Sequence, residues 1–188
     1  RDLHSFPTRR SSDLEPVAAS FGAHIPFMRS TQNSGDLSTT PDVLIEVLES
    51  YKERGHEFDI ACCLFPTAPF VTSEKLKKAY ELLSNSDALS LIPVVKSSFS
   101  IWRSFKIEND KLAFIWPENE LKRSQDLPPA YHDCGQFYFF KVERFMKDKK
   151  LLRDNTIALE VPESEMQDID NEMDWKLAEF KYNFFRRE

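Results

Sequence analysis

The hydrophobic pattern changes period several times along the 188 residues, and each change marks an element. Val43, Leu44, Val47, Leu48 and Tyr51 recur at helical spacing. Ahead of them Thr40 offers an N-cap, Pro41 suits the first helical position and Asp42 the positive helix end, while Gly55 stops the run. Leu76, Ala79, Leu82 and Leu83 form a second stripe behind a Ser73 cap. Met173, Leu177, Phe180 and Phe184 form a third, capped by Asp170 or Asn171.

Between the helices the pattern is that of strands. DIACCLF (residues 59–65) and ALSLIPVV (residues 88–95) are nearly continuous apolar runs, the signature of strands buried on both faces. HIPFMR (24–29) reads as a short strand before a polar loop, STQNSGDLST, and GQFYFFKV (135–142) and ALEVP (158–162) read as further strands. FKIENDKLAFIW (105–116) alternates at period two about Asn109 and Asp110, which predicts a hairpin projecting from the main sheet. Alternating strand and helix predicts an α/β fold with an open, mostly parallel sheet and ligands at the strands' carboxyl ends.

Composition narrows the class. With 41% hydrophobic and 30% charged residues the chain suits one globular domain, and no apolar run is long enough to span a bilayer. A net charge of −6 argues against nucleic acid or a membrane surface as partner. The three cysteines lack metal-ligand spacing, and Cys62 and Cys63 lie in an apolar run, which points to buried reduced thiols and a cytoplasmic protein. The opening stretch is different. Arg9-Arg10-Ser11-Ser12 has the flavour of a mitochondrial presequence, but Asp2, Asp13 and Pro7 oppose it, and no apolar core exists for a secretory signal. HSFPTRRSSDL (4–14) resembles, residue for residue, a translated sequencing adapter. Residues 1–14 are therefore expected to be a non-native leader, and residues 15–188 the domain.

Four segments carry more polar groups than a core requires. Arg29 has the fork to hold a phosphate or carboxylate, and Thr40 can touch a ligand while capping its helix; a solvated loop is the plain alternative. Two prolines around Thr67 fix a rigid loop after a strand, or simply connect it to a helix. Arg123, Gln125, Asp126, Tyr131, His132 and Asp133 crowd ahead of the next strand, with Arg123 suited to a sugar-acid carboxylate. His132 beside Asp133 is a poor catalytic pair, because adjacent side chains seldom meet. Asp168 and Asp170 flank Ile169, so in an extended segment both carboxylates share a side, which suits Mg²⁺ unless Asp170 only caps the last helix.

In order along the chain, RSTQNSGDLSTTPDVLIEVLE, CCLFPTAPFVTSEKLKKAYELL, FKIENDKLAFIWPEN, KRSQDLPPAYHDCGQFYFFKVERF and MQDIDNEMDWKLAE resemble the acylneuraminate cytidylyltransferase family, nearest its branch that activates pseudaminic acid. The resemblance covers essentially residue 15 to the C-terminus. It implies a Rossmann-like fold of the nucleotide-diphospho-sugar transferase type and transfer of CMP from CTP to the anomeric hydroxyl of a nonulosonic acid, releasing pyrophosphate. By the same resemblance Asp168 and Asp170 match the Mg²⁺-binding acids, Arg29 and Thr40 match nucleotide contacts, Arg123 and Arg103 match basic positions near the sugar, and Tyr138 falls in the strand lining its pocket. A homodimer through the region of the hairpin is implied as well.

Two substitutions bear on the sugar. Phe65 and Cys134 stand where sialic-acid enzymes carry amides, which argues for a differently substituted acid such as pseudaminic acid. The family also opens with a strand and a Gly-Gly-Ser-Lys-type loop that cradles triphosphate, and no such segment is present. The expectation is that the literal chain is inactive. The alternatives are a non-catalytic dimerising or sugar-acid-binding fragment, or a cytidylyltransferase for legionaminic or sialic acid.

Overall fold

A computed structural model of the chain describes residues 11–35 and 38–185, with side chains from residue 14 onward. Most of the stretch read as a foreign leader therefore lies outside the described residues. The elements are α1 (Ser11–Ser20), α2 (Thr40–Glu53), β1 (Ile60–Leu64), α3 (Ser73–Ser84), β2 (Ser90–Lys96), β3 (Phe105–Glu108), β4 (Lys111–Phe114), β5 (Tyr131–Asp133), β6 (Phe137–Lys141), α4 (Val142–Asp148), β7 (Thr156–Glu160) and α5 (Glu172–Phe185).

The main sheet runs β1-β6-β2-β5, with β7 also paired to β2. The α/β class stands, but the mostly parallel arrangement does not. Among the described residues only β2–β7 is parallel; β1–β6, β2–β6 and β2–β5 are antiparallel. Side-chain alternation is the same in either direction, so the pattern of apolar residues carries no information about strand polarity.

Period two in β6 separates the two helical layers. Phe137 and Phe139 point to one face and pack with Ala79 and Leu83 of α3, Leu91 and Leu159. Phe140 and Tyr138 point to the other, against Leu44 and Leu48 of α2 and Phe145 of α4. Each fully buried Phe contributes about 1.5–3 kcal/mol of transfer free energy, so β6 is a main source of stability.

Strand β2 is buried from Ser90 through Val95, as its apolar run predicts. Pro93 lies at its centre, where a missing N–H would normally cost a rung. On the antiparallel side, however, Leu91 is the last residue registered with β6 and Val94 the first with β5. Pro93 occupies the gap, so no antiparallel rung is lost.

Several local expectations change. Residues 24–29 form no strand; Phe27 instead packs its ring 5.0 Å from Tyr51, with the Arg54 guanidinium 4.5 Å away, so the segment follows α2. Strand β1 is not buried on both faces: among the described residues it pairs only with β6, and Leu64 is 52% exposed. Thr39, not Thr40, caps α2 by accepting from the Asp42 N–H, and Thr72, not Ser73, caps α3. Helix α5 seats Ala178 inward and leaves Met173, Leu177, Phe180 and Phe184 exposed, so the predicted stripe is its outer face. The hairpin β3–β4 forms as expected, with Asn109 and Asp110 both at positive φ (50° and 59°).

Candidate active site

Register brings one set of loops to a common end of the sheet. Leu64 pairs with Phe137 where β1 ends and β6 begins; Val94 pairs with Asp133 of β5 and with Glu160 near the end of β7. The segments following β1 and β7 and the turn between β5 and β6 thus meet there. They carry Phe65, Asp133, Gly135, Tyr138, Asp168 and Asp170.

The Tyr138 hydroxyl donates to Asp133 Oδ2 at 2.5 Å, and Asp133 Oδ1 accepts the Gly135 N–H at 2.9 Å. Phe65 meets the Tyr138 ring edge-on at 5.2 Å and fixes its plane. Burial, the hydrogen bond to Asp133 and the negative groups nearby, Asp168 among them, push the Tyr138 phenol well above its ordinary range. It stays a neutral donor at physiological pH. Gly135 sits at φ 61°, which favours glycine, and a Cβ there would lie 3.9 Å from Asp168 Oδ1. The β5–β6 turn and the acidic segment are therefore neighbours.

Around Asp168 the predicted alternation holds. Ile169 is 8% exposed and packs with Phe70 and Ala178, while Asp168 and Asp170 are exposed on either side of it. Asn171 caps α5: its Oδ1 accepts from the Met173 and Asp174 N–H groups, and Asp174 Oδ2 accepts from the Asp170 and Asn171 N–H groups in return. The Asp170 carboxylate is thus not consumed by capping. No group of three or more His, Cys, Asp or Glu that could hold a metal exists among the described residues. Two exposed carboxylates two residues apart suit Mg²⁺, which is commonly held by one or two carboxylates with substrate phosphates completing the shell.

A buried cation ties this end together. Lys75, 16% exposed, donates to the Phe70 carbonyl at 2.7 Å and pairs with Glu165 Oε2 at 2.5 Å. It locks the loop after β1 to the segment ahead of Asp168, and Gln136 Nε2 adds a bond to the Glu165 carbonyl at 2.6 Å. Lys75 is not legible as a site residue in the sequence, because its partner Glu165 lies far along the chain, and Asp133 stands out there only as one member of a polar cluster, not as the partner of Tyr138.

The other predicted residues are distributed differently. Cys134 is 2% exposed and packs with Val95, Val161 and Met166; burial pushes its pKa up to about 12. Arg123 is exposed and forked onto Asp126 (Nε to Oδ2 2.7 Å, a second N–H to Oδ1 3.0 Å). Arg103, in the turn ahead of β3, has a buried Nε–H without an acceptor among the described residues. That turn is pinned by the Trp102 indole N–H donating to the Pro128 carbonyl and by the Asn119 amide donating to the Trp102 carbonyl. His132 places Nδ1 3.0 Å from the Asp133 carbonyl oxygen and makes no catalytic pair with the carboxylate.

Thr40 opens α2, and Arg29 lies in the segment ahead of it. There Glu46 accepts from the Ser30 N–H, the Ser30 hydroxyl and the Asn33 amide, holding residues 30–33 against the helix. Those bonds, with a smaller contribution from Arg29, hold the Glu46 carboxyl below its ordinary range. A polar depression of 620 Å³ opens beside them, lined by Asn33, Asp42, Glu46 and Lys149.

The fold is that of the nucleotidyltransferases. The chain superimposes on CMP:2-keto-3-deoxy-manno-octonic acid synthetase complexed with CTP at a TM-score of 0.58, with 12% identity over 93% of this chain and 78% of that one. It superimposes on 4-diphosphocytidyl-2C-methyl-D-erythritol synthase of Anaerococcus prevotii at 0.51, with 13% identity over 94% and 78%. No family model matches the sequence. The pseudaminic acid cytidylyltransferase of Campylobacter jejuni is 30% identical over 92% of this chain and 76% of its own length. The CMP-N,N'-diacetyllegionaminic acid synthase of Legionella pneumophila is 27% identical over 90% and 73%. The chain belongs to the acylneuraminate cytidylyltransferase family.

Proposed function

We propose that the protein transfers CMP from CTP to the anomeric hydroxyl of a nonulosonic acid, with pseudaminic acid as its substrate. The similarity to the C. jejuni pseudaminic acid cytidylyltransferase supports the substrate, and the convergence of Asp168 with Phe65, Gly135 and Tyr138 at one end of the sheet carries the reading. The anomeric oxygen forms its bond to the α-phosphorus as the bond to the departing pyrophosphate breaks.

Asp168 and Asp170 would hold Mg²⁺, which when bound neutralises phosphate charge. The protein's own groups orient the reactants. Arg29 and the start of α2 at Thr40 hold the nucleotide, with Glu46 fixing the approach of their loop. The Nε–H of Arg103 awaits an acceptor that the sugar acid supplies, and the exposed Arg123–Asp126 pair is weak enough to open for a carboxylate. Phe65 gives the sugar an apolar wall where an amide would read a polar substituent. The exposed apolar hairpin β3–β4 suits the homodimer contact, and the cytoplasm supplies CTP.

The test is pyrophosphate release from CTP by the full-length gene product, compared across pseudaminic, legionaminic and sialic acids. Pseudaminic acid is expected to be turned over fastest; turnover of sialic acid alone would sink the substrate assignment. Asp168→Asn is expected to abolish release with an unchanged melting temperature. Full activity in that variant would remove the metal role from this segment.

A further inference from the structure

We propose that Asp133 is a positioning residue that decides what Tyr138 reads in the cleft. The inference rests on the sugar-acid reading above and deepens it. A phenol has one O–H to give, and Tyr138 gives it to Asp133 at 2.5 Å. The second Asp133 oxygen is anchored by the Gly135 N–H at 2.9 Å, and Gly135 is held in its turn by a positive φ of 61°. The ring cannot swing away, because Phe65 packs against it edge-on. The phenolic oxygen is left with acceptor capacity only.

The Asp133 carboxylate beside it is exposed and offers only lone pairs. This corner therefore receives a hydrogen-bond donor, either a hydroxyl or the N–H of an acylamino substituent, and turns away the carboxylate of the sugar acid. The carboxylate is directed instead toward the guanidinium groups of Arg103 and Arg123. An analogue that lacks the donor leaves Tyr138 and Asp133 unpaired in a partly desolvated site, and such sites discriminate strongly. Were Asp133 absent, the hydroxyl would turn its proton toward the ligand and the selection would reverse.

The experiment is a double-mutant cycle on the full-length gene product, with pseudaminic acid binding measured by calorimetry. Tyr138→Phe is expected to weaken binding about tenfold, the scale of one hydrogen bond in a desolvated site. Asp133→Asn is expected to weaken it to a similar extent in the parent, and by less than about twofold in the Tyr138→Phe background. An undiminished effect of Asp133→Asn in that background would show that it acts through the Gly135 turn, and would overturn the proposal. So would no effect in either background. A second readout is the alkaline titration of the phenol. In Asp133→Asn one tyrosine should ionise at lower pH than in the parent, a change absent when Tyr138 is Phe, and an unshifted titration also counts against the proposal. If the parent binds no nonulosonic acid while still folded, the sugar-acid reading itself falls and takes this inference with it.

Discussion

Strand β2 and the hairpin β3–β4 are both rich in apolar residues, yet one is buried along nearly its whole length and the other is largely exposed. Leu91 is 0% exposed, while Ile107 and Leu112 are 74% and 69% exposed. The difference lies in neighbours. β2 has strands on both sides and α3 over it, whereas among the described residues β3 and β4 pair only with each other. Alternation sorts side chains onto faces, but only a second layer turns an apolar face into a core. The main sheet thus carries stability and delivers Phe65, Tyr138 and Asp168 to one end, and the hairpin presents apolar surface outward.

The sharpest way to break this contrast is to truncate a residue on each side of it. Leu91→Ala should cost about 3 kcal/mol, since Leu91 sits among Ala79, Leu83, Phe137 and Leu159 with no room to relax. Leu112→Ala should change stability by less than about 0.5 kcal/mol. Denaturant midpoints of the two variants decide it. Equal losses would mean that the hairpin is covered in solution and the main sheet is not specially packed.

Between these extremes lies the loop held by Glu46, whose stabilisation is polar and titratable. Its carboxyl ionises below the ordinary value in the folded protein, so it contributes stability above that value and loses it as pH falls through the lowered one. Glu46→Gln should lower the melting temperature near neutral pH. That gap should close on acidification below the ordinary glutamate range, as the parent carboxyl gains its proton. A gap that stays constant at every acidic pH where the parent remains folded would mean that size or packing, and not charge, explains the variant.

These contrasts also show how far the sequence could be read. The buried run of β2, the turn at Asn109 and Asp110 and the Asp-Ile-Asp alternation were legible, because each is set by periods of two to four residues. Strand polarity, the exposed edge of β1 and the outward stripe of α5 were not, because they depend on which element lies alongside. The site divides in the same way. Asp168 and Asp170 announce themselves by spacing. Glu46 reaches back 16 residues to Ser30, and Lys75 meets Glu165 ninety positions on, separations that no local pattern encodes. Cys134 is hard to place for the opposite reason: its neighbours in sequence are Asp133 and Gly135, but it is buried against Val95 and Val161.

The smallest expected effect on stability is also the one that gives the hairpin a purpose. Ile107 and Leu112 are cross-strand partners, so lysines at both positions put two like charges side by side on the exposed face. In an isolated chain this should cost no more than about 0.5 kcal/mol, because neither side chain is buried. In a homodimer joined through this face the same charges would meet their copies across an apolar contact, where unpaired burial is costly. If the parent sediments as a dimer through this face, Ile107→Lys/Leu112→Lys should sediment as a monomer while its melting curve, taken at a concentration where the parent is also monomeric, barely moves. A variant that remains dimeric would move the interface off the hairpin and leave the exposed face of α5, with Phe180 and Phe184, as the surface to mutate next.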